Sequence, residues 1–212
     1  MFESKFGILF IAGIGFFVLA FLGNGLVPMI MYKDRPEKTA EEMVNKRVLV
    51  QFRDLSERYP EQFKEAFGEP TQEKCAEALR LGRQIYVGEG CWHCHSQFVR
   101  PVSNESLRWG AASKTDEYEN ELQRPVMFGT RRVGPDLSRE GGRRGNDWHA
   151  VHLYRPQMVS NDSPMPDYPW FFDGEAGKPN RRGLAIMTYV QWLGSWHETY
   201  PYYEELPEVQ GE

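Results

Sequence analysis

From Phe6 to Met31 the chain carries no charged side chain and one strongly polar one, Asn24. Coiled as a helix, that run is long enough to cross a hydrocarbon core of about 30 Å. Tyr32 and the stretch Lys33-Asp34-Arg35 close it as interfacial aromatics and charges do. The pattern predicts a retained transmembrane anchor over residues 1–35. A cleaved signal peptide has a shorter apolar core followed by a small-residue cleavage site, and neither is present. Past the anchor the period changes. Thr39 and Glu42 have capping-box spacing, and Met43, Val44, Val48, Phe52 and Leu55 recur at helical intervals. A second helical stretch, Glu61 to Phe67, ends at the break Gly68-Glu69-Pro70, so residues 36–70 read as a helical arm. The arm is either a packing or spacing element or a docking surface.

Thr71 is the expected N-cap of a helix that places Cys75, Leu79, Gly82 and Tyr86 on one face. Cys75 then belongs to the core as a small apolar residue. A glycine inside a helix costs about 1 kcal/mol and usually permits a close approach, so Gly82 predicts a partner element packed across it. That partner is expected to be the last helix, Gly183 to Trp196, with Ile186, Val190 and Leu193 on one stripe and Tyr189, Trp192 and Trp196 beside it. Asp147 is the expected N-cap of a short helix from Trp148 to Arg155, which Pro156 stops. Signals for strands are weak throughout.

Composition narrows the chemistry. Apolar residues make up 41% and charged residues 26%, which is globular, and a formal net charge of −5 supplies no basic field for nucleic acid. Three cysteines, two of them separated by two residues, do not make a disulfide framework.

Those two cysteines lie in Cys91-Trp92-His93-Cys94-His95. Two thiols at this spacing add across the two vinyl groups of a haem, and the adjoining imidazole lies under the iron as axial ligand. A zinc site needs more ligands and a redox dithiol does not need His95, so the motif predicts one covalently attached haem c. A ligating imidazole has its other nitrogen held, and Pro135 in Arg132-Val133-Gly134-Pro135-Asp136-Leu137 offers a rigid turn carbonyl for it, against the alternative of an ordinary turn. For the sixth position Met165 is favoured. It lies in Ser163-Pro164-Met165-Pro166-Asp167-Tyr168-Pro169, where three prolines hold a weak neutral ligand in place. Met158, His149, His152 and His197 remain as alternatives. Arg139, Arg143 and Arg144, set among glycines, either neutralise the haem propionates or form a solvated turn.

The residues together predict a mainly α protein: one N-terminal transmembrane helix, then a class I-like cytochrome c domain over 71–198. Long loops span 101–144 and 156–180, and a tail occupies 199–212. The acidic stretch Asp116 to Glu121 and the tail have no readable role.

From about Leu81 to Trp196 the sequence resembles the membrane-anchored mono-haem subunit, subunit II, of cbb-type (C-family) haem-copper cytochrome c oxidases. The resemblance is carried by Gly-Arg-Gln-Ile-Tyr at Gly82, Cys-His-Ser-Gln-Phe-Val-Arg-Pro at Cys94 and Arg-Trp-Gly at Arg108. It continues through Phe-Gly-Thr-Arg-Arg-Val-Gly-Pro-Asp-Leu, Gly-Gly-Arg-Arg, Asp-Trp-His, the Met165 loop and Tyr-Val-Gln-Trp-Leu-Gly. It implies Cys91 and Cys94 as attachment sites, His95 as proximal and Met165 as distal ligand. It also implies a place beside a catalytic haem-copper subunit and other c-type cytochrome subunits. The arm from Glu37 to Gly68 departs from the family pattern by its length. Under this reading the chain relays electrons from a donor cytochrome toward the catalytic subunit and transforms no substrate itself. A free-standing anchored shuttle, or the small subunit of a related nitric oxide reductase, shares the haem features. A ligand-sensing or peroxidase-like cytochrome needs an open sixth site, against which Met165 argues. The positive-inside rule, with Lys33, Arg35 and Lys38 after the span, holds the domain inside, yet long domains translocate largely regardless of flanking charge. Haem attachment outside the cytoplasm therefore decides the expectation: a single pass through the inner (cytoplasmic) membrane, with the haem domain on its periplasmic side.

Overall fold

Pro28 shapes the first helix. It has no amide to donate, so the i→i+4 ladder is broken one turn earlier and widens: the Val27 N–H reaches the Leu22 carbonyl. In the computed structural model, which describes residues 5–197, α1 (Lys5–Ala20) therefore runs through a π-helical turn (Phe21–Leu26) into α2 (Val27–Tyr32). Lys5–Tyr32 is one helix of 28 residues, long and apolar enough to cross a membrane, with none of its residues buried. It belongs to the first of two units, Met1–Glu37 and Lys38–Glu212.

The second unit is helical, and no strand longer than an isolated bridge occurs among its described residues. Several of its helices start at side-chain caps. Thr39 caps α3 (Ala40–Met43) in a full capping box with Glu42. Asn45 caps α4 (Lys46–Arg58), Pro60 opens α5 (Pro60–Ala66), and Thr71 accepts from the Lys74 amide at the head of α6 (Gln72–Gly88). The motif itself makes one turn, α7 (Cys91–Cys94), and the long connection after it holds α8 (Glu105–Trp109). Then come α9 (Asn146–Tyr154) and α10 (Arg181–Trp192), whose cap Asn180 accepts from two amides.

The core forms where α6 meets α10. A Cβ on Gly82 would stand 2.3 Å from the Ala185 carbonyl oxygen and 2.5 Å from the Tyr189 Cβ, so only glycine lets the two backbones touch. Cys75, Leu79 and Tyr86 from α6 are buried with Leu184, Ile186, Met187, Tyr189 and Trp192 from α10. Burial pushes the Cys75 thiol up to about 12, so it stays protonated and apolar in character. The apolar stripe of α4 joins the same cluster: Phe52 meets Phe63 at 4.8 Å and Phe67 at 5.8 Å between ring centres.

The bounds of α9 and α10 differ from those the periodicity predicts. α9 begins at Asn146 behind Gly145, because the buried Asn146 amide donates to the Gln51 carbonyl (3.0 Å) and Asp54 (2.8 Å) and is drawn into the fold. α10 stops at Trp192, since the loop 138–142 closes over its end: the Gly141 amide donates to the Leu193 carbonyl at 2.8 Å, and Gly194 turns away at φ +81°. The acidic stretch is tied in as well. Glu117, buried, pairs with Arg139 at 2.7 Å and with His197 at 3.1 Å, while Glu121 accepts from Arg80 at 2.8 Å. The tail 199–212 lies outside the described residues.

Candidate functional site

Gly90, in the left-handed region at φ +71°, turns the chain out of α6 and starts the motif. One turn then spaces the two thiols, and the His95 amide donates to the Cys91 carbonyl at 2.9 Å. Cys91 is half-buried and Cys94 exposed, and no disulfide joins them. Burial, with the nearby Glu89 charge, pushes the Cys91 thiol up to about 12.

The stretch after Arg131 is laid alongside the motif by backbone bonds. Arg131 donates to the His93 carbonyl (3.1 Å), Gly134 to the Cys94 carbonyl (3.1 Å) and Leu137 to the Ser96 carbonyl (2.9 Å). This brings the Pro135 carbonyl to 2.9 Å from His95 Nδ1. Nδ1 is then the protonated nitrogen, and Nε2 carries the lone pair a metal needs. Loss of water around the ring pushes the His95 pKa below the usual histidine range, against the opposing pull of the Pro135 acceptor and the Asp136 charge. Gly134 lies flat on the imidazole: a Cβ there would stand 2.2 Å from Cε1.

Three supports of the His95 segment are not legible in the motif. Tyr86 Oη donates to the His95 carbonyl at 2.8 Å, and the Tyr189 ring packs 5.6 Å from Tyr86, so the α6–α10 pair holds His95 from behind. The buried Asp136 carboxylate accepts from Ser96 Oγ (2.5 Å), the Phe98 amide (2.9 Å) and the Ser138 amide (2.8 Å), staking the Gly134-Pro135 turn to the segment after the motif. Arg132 donates to Ser96 Oγ at 2.5 Å and to the Phe98 carbonyl at 2.6 Å. The only signal for Asp136 in the sequence is its position after Gly-Pro.

Met165 is half-buried against the core, its amide 3.3 Å from Ser163 Oγ and its carbonyl 3.3 Å from Gln157 Nε2. The Tyr168 amide donates to the Leu153 carbonyl at 2.9 Å and pins the far end of the loop to α9. Met158 is exposed. His149 is buried with Nε2 unpartnered, His152 stacks on Trp148 at 4.4 Å with Nδ1 unpartnered, and His197 is held by Glu117. Arg139 is buried against Glu117, whereas Arg143 and Arg144 flank Glu140 at 3.8 and 2.6 Å. Arg144 also lies 4.3 Å over the Trp148 ring. Among the described residues no set of three or more His, Cys, Asp or Glu gathers as an ion site. A neutral imidazole with its Nδ1 committed and two free thiols in the turn before it fit a haem.

The sequence comparison decides the family. A family model described as cytochrome c oxidase, mono-heme subunit/FixO, matches residues 36–196. The chain belongs to this family. The match begins at residue 36, so the helices α3 to α5 fall inside it. No curated protein matches the chain. As a mono-haem subunit of a cytochrome c oxidase it carries one haem and has partner subunits in an oxidoreductase complex.

Acid should weaken this mono-haem subunit through α9. Burial, then the charges of Arg144 and His152, push His149 down to about 3 from an ordinary value of 6.5. Between those limits the unfolded chain takes a proton that the folded one refuses, so stability is lost as pH falls from 6.5 toward 3. The expected share is about 1.4 kcal/mol per pH unit below 6.5 for this one group. Glu117, held low by His197 and Arg139 against its own desolvation, adds a loss only below the ordinary carboxylate value. Urea midpoints at pH 6.5 and 5 should separate by less in His149→Gln than in the wild type, and parallel shifts would refute the assignment.

Proposed function

We propose that this subunit is a single-pass electron relay of a cbb-type cytochrome c oxidase. It receives one electron from a donor cytochrome c and passes it toward the catalytic haem-copper subunit, with its second unit on the periplasmic side of the inner membrane. The apolar helix Lys5–Tyr32 supports the anchor. The observation that carries the relay reading is the 2.9 Å bond from His95 Nδ1 to the Pro135 carbonyl, inside a motif with two free thiols. A bound haem c supplies the one-electron ferrous–ferric couple.

The chain's own residues do the rest. Cys91 and Cys94 would anchor the group covalently, His95 would hold its iron through Nε2, and Pro135, bonded to Nδ1, would fix the tautomer and tilt of the ring. Met165, restrained between Pro164 and Pro166, would offer its thioether sulfur as a second, neutral ligand to the iron and would keep oxygen and water from it. Arg143 and Arg144 offer guanidinium groups to the propionate carboxylates, in exchange for or beside Glu140. No residue here is asked to transform a substrate, so oxygen reduction belongs to a partner subunit.

Purifying the tagged chain from gently solubilised membranes tests this. The chain should keep a haem stain under denaturing conditions, show a c-type reduced-minus-oxidised band, and bring b-type haem signals with a large polytopic subunit. Its ferrous c-type band should ignore carbon monoxide, while Met165→Ala should bind it. A chain that purifies alone in mild detergent, or one without covalent haem, would overturn the reading.

A further inference from the structure

Between α8 and the turn Arg132–Pro135 lies a cavity of about 410 Å³ whose walls include Asn104, Arg108, Trp109, Val133, Gly134 and Pro135. We propose that it is the seat of a carboxylate-bearing segment of a neighbouring oxidase subunit. The inference rests on the reading above that the chain works inside an oxidase complex. Neither motif thiol, nor His95, nor Met165 lines the cavity, which adjoins the attachment site through Gly134 and Pro135.

The chemistry of the walls selects the occupant. Arg108 is exposed, its guanidinium lies 4.5 Å over the Trp109 ring, and among the described residues no carboxylate pairs with it. Glu105, the one acidic residue in the lining, is already engaged by Arg132, by Arg100 at 3.7 Å and by the Arg100 amide at 2.8 Å. Exposed Arg131 likewise has no carboxylate partner among the described residues. Segments 96–109 and 128–136 thus hold four arginines against two carboxylates, in a chain of net charge −5. A guanidinium braced on an indole and left unpaired is set for a bidentate carboxylate.

Two further observations mark the face as built for a lasting neighbour. Large apolar side chains stand out in the segments that line the cavity: Val133, in its wall, is 53% exposed, and Leu107 and Val102, next in sequence to the lining residues Arg108 and Ser103, are 82% and 58%. An arginine–tryptophan pair in a concavity with an apolar rim is the composition of a stable interface centre, not of a purely charged, transient one. The two non-glycine residues in the left-handed region among those described, Ser103 at φ +57° and Arg132 at φ +49°, both line the cavity. Such backbone conformations cost energy and concentrate at functional sites. Gly134 and Pro135 form one wall while touching or bonding to the His95 ring. An occupant therefore rests against the support of the proximal ligand, a position suited to electron exchange.

A photo-cross-linking amino acid in place of Leu107, in the full chain in its native membranes, tests the proposal. Irradiation should join the chain to another oxidase subunit, identified by mass spectrometry. Arg108→Glu in the same background should cut that product about tenfold or more, as loss of an interface hot spot does, while the reversal Lys64→Glu on α5 should leave it unchanged. Arg131→Glu serves if Arg108→Glu loses its haem stain. A product joined to the chain's own acidic tail, to a second copy or to an unrelated protein would overturn the proposal. So would no product, or one undiminished by Arg108→Glu. If the wild type copurifies with its partners and bears haem, such a result removes only the docking site; absent partners or haem remove the relay reading itself.

Discussion

Replacing Gly82 by alanine is expected to lower the unfolding free energy by about 3 kcal/mol, the upper range for overpacking a well-packed core. The methyl group would gain about 1 kcal/mol of helix propensity, but it would be forced to 2.3 Å from the Ala185 carbonyl oxygen and 2.5 Å from the Tyr189 Cβ. One neighbour is backbone and the other a buried Cβ, so neither yields by a rotamer change. Separating α6 from α10 also moves Tyr86 from the His95 carbonyl and Tyr189 from Gln97 Oε1, at present 2.8 and 3.0 Å away. A loss of proximal ligation should therefore accompany the loss of stability. Urea unfolding of the purified chain, followed by helix dichroism and by the c-type band, reads both. Wild-type stability in Gly82→Ala would show that the helices part at no cost.

The second large effect is expected at Gly134. Alanine there would drive a methyl group to 2.2 Å from His95 Cε1 and 2.7 Å from Nδ1, pushing the ring off the Pro135 carbonyl. Removing such support of a ligating histidine typically costs ten- to a hundredfold in metal affinity. Gly134→Ala should thus show a depleted c-type band per chain and a ferric form no longer wholly low-spin. Pro135→Ala is the informative contrast. The acceptor is a backbone carbonyl, which survives that substitution, so the effect should be several-fold smaller. Equal damage from both would place the importance of the turn in the proline ring instead of in the hydrogen bond.

Much of this molecule was legible from residue types. The haem motif is a local spacing of reactive groups, and caps such as Thr39 and Thr71 act within four residues, so no distant part of the chain is needed to read them. Gly82 was legible because an unforced glycine in a helix is costly and asks for a reason. The family match over residues 36–196 covers the resemblance from Leu81 to Trp196 and takes in the arm as well.

What tertiary structure decided is where segments far apart in sequence exchange partners. Asp136 gave no local sign of staking the Gly134-Pro135 turn, since its partners Ser96 and Phe98 lie about forty residues away. The stripe of α4 announced that it would be buried but not against what; only the packed chain puts Phe52 and Leu55 into the cluster that holds Trp192. The end of α10 followed the docking of loop 138–142 and not its own periodicity. Arg139, Arg143 and Arg144 looked alike, yet one became a buried partner of Glu117 and two share Glu140. A charge reveals its type in the sequence, but its energy depends on what surrounds it, and that is set only when the chain closes.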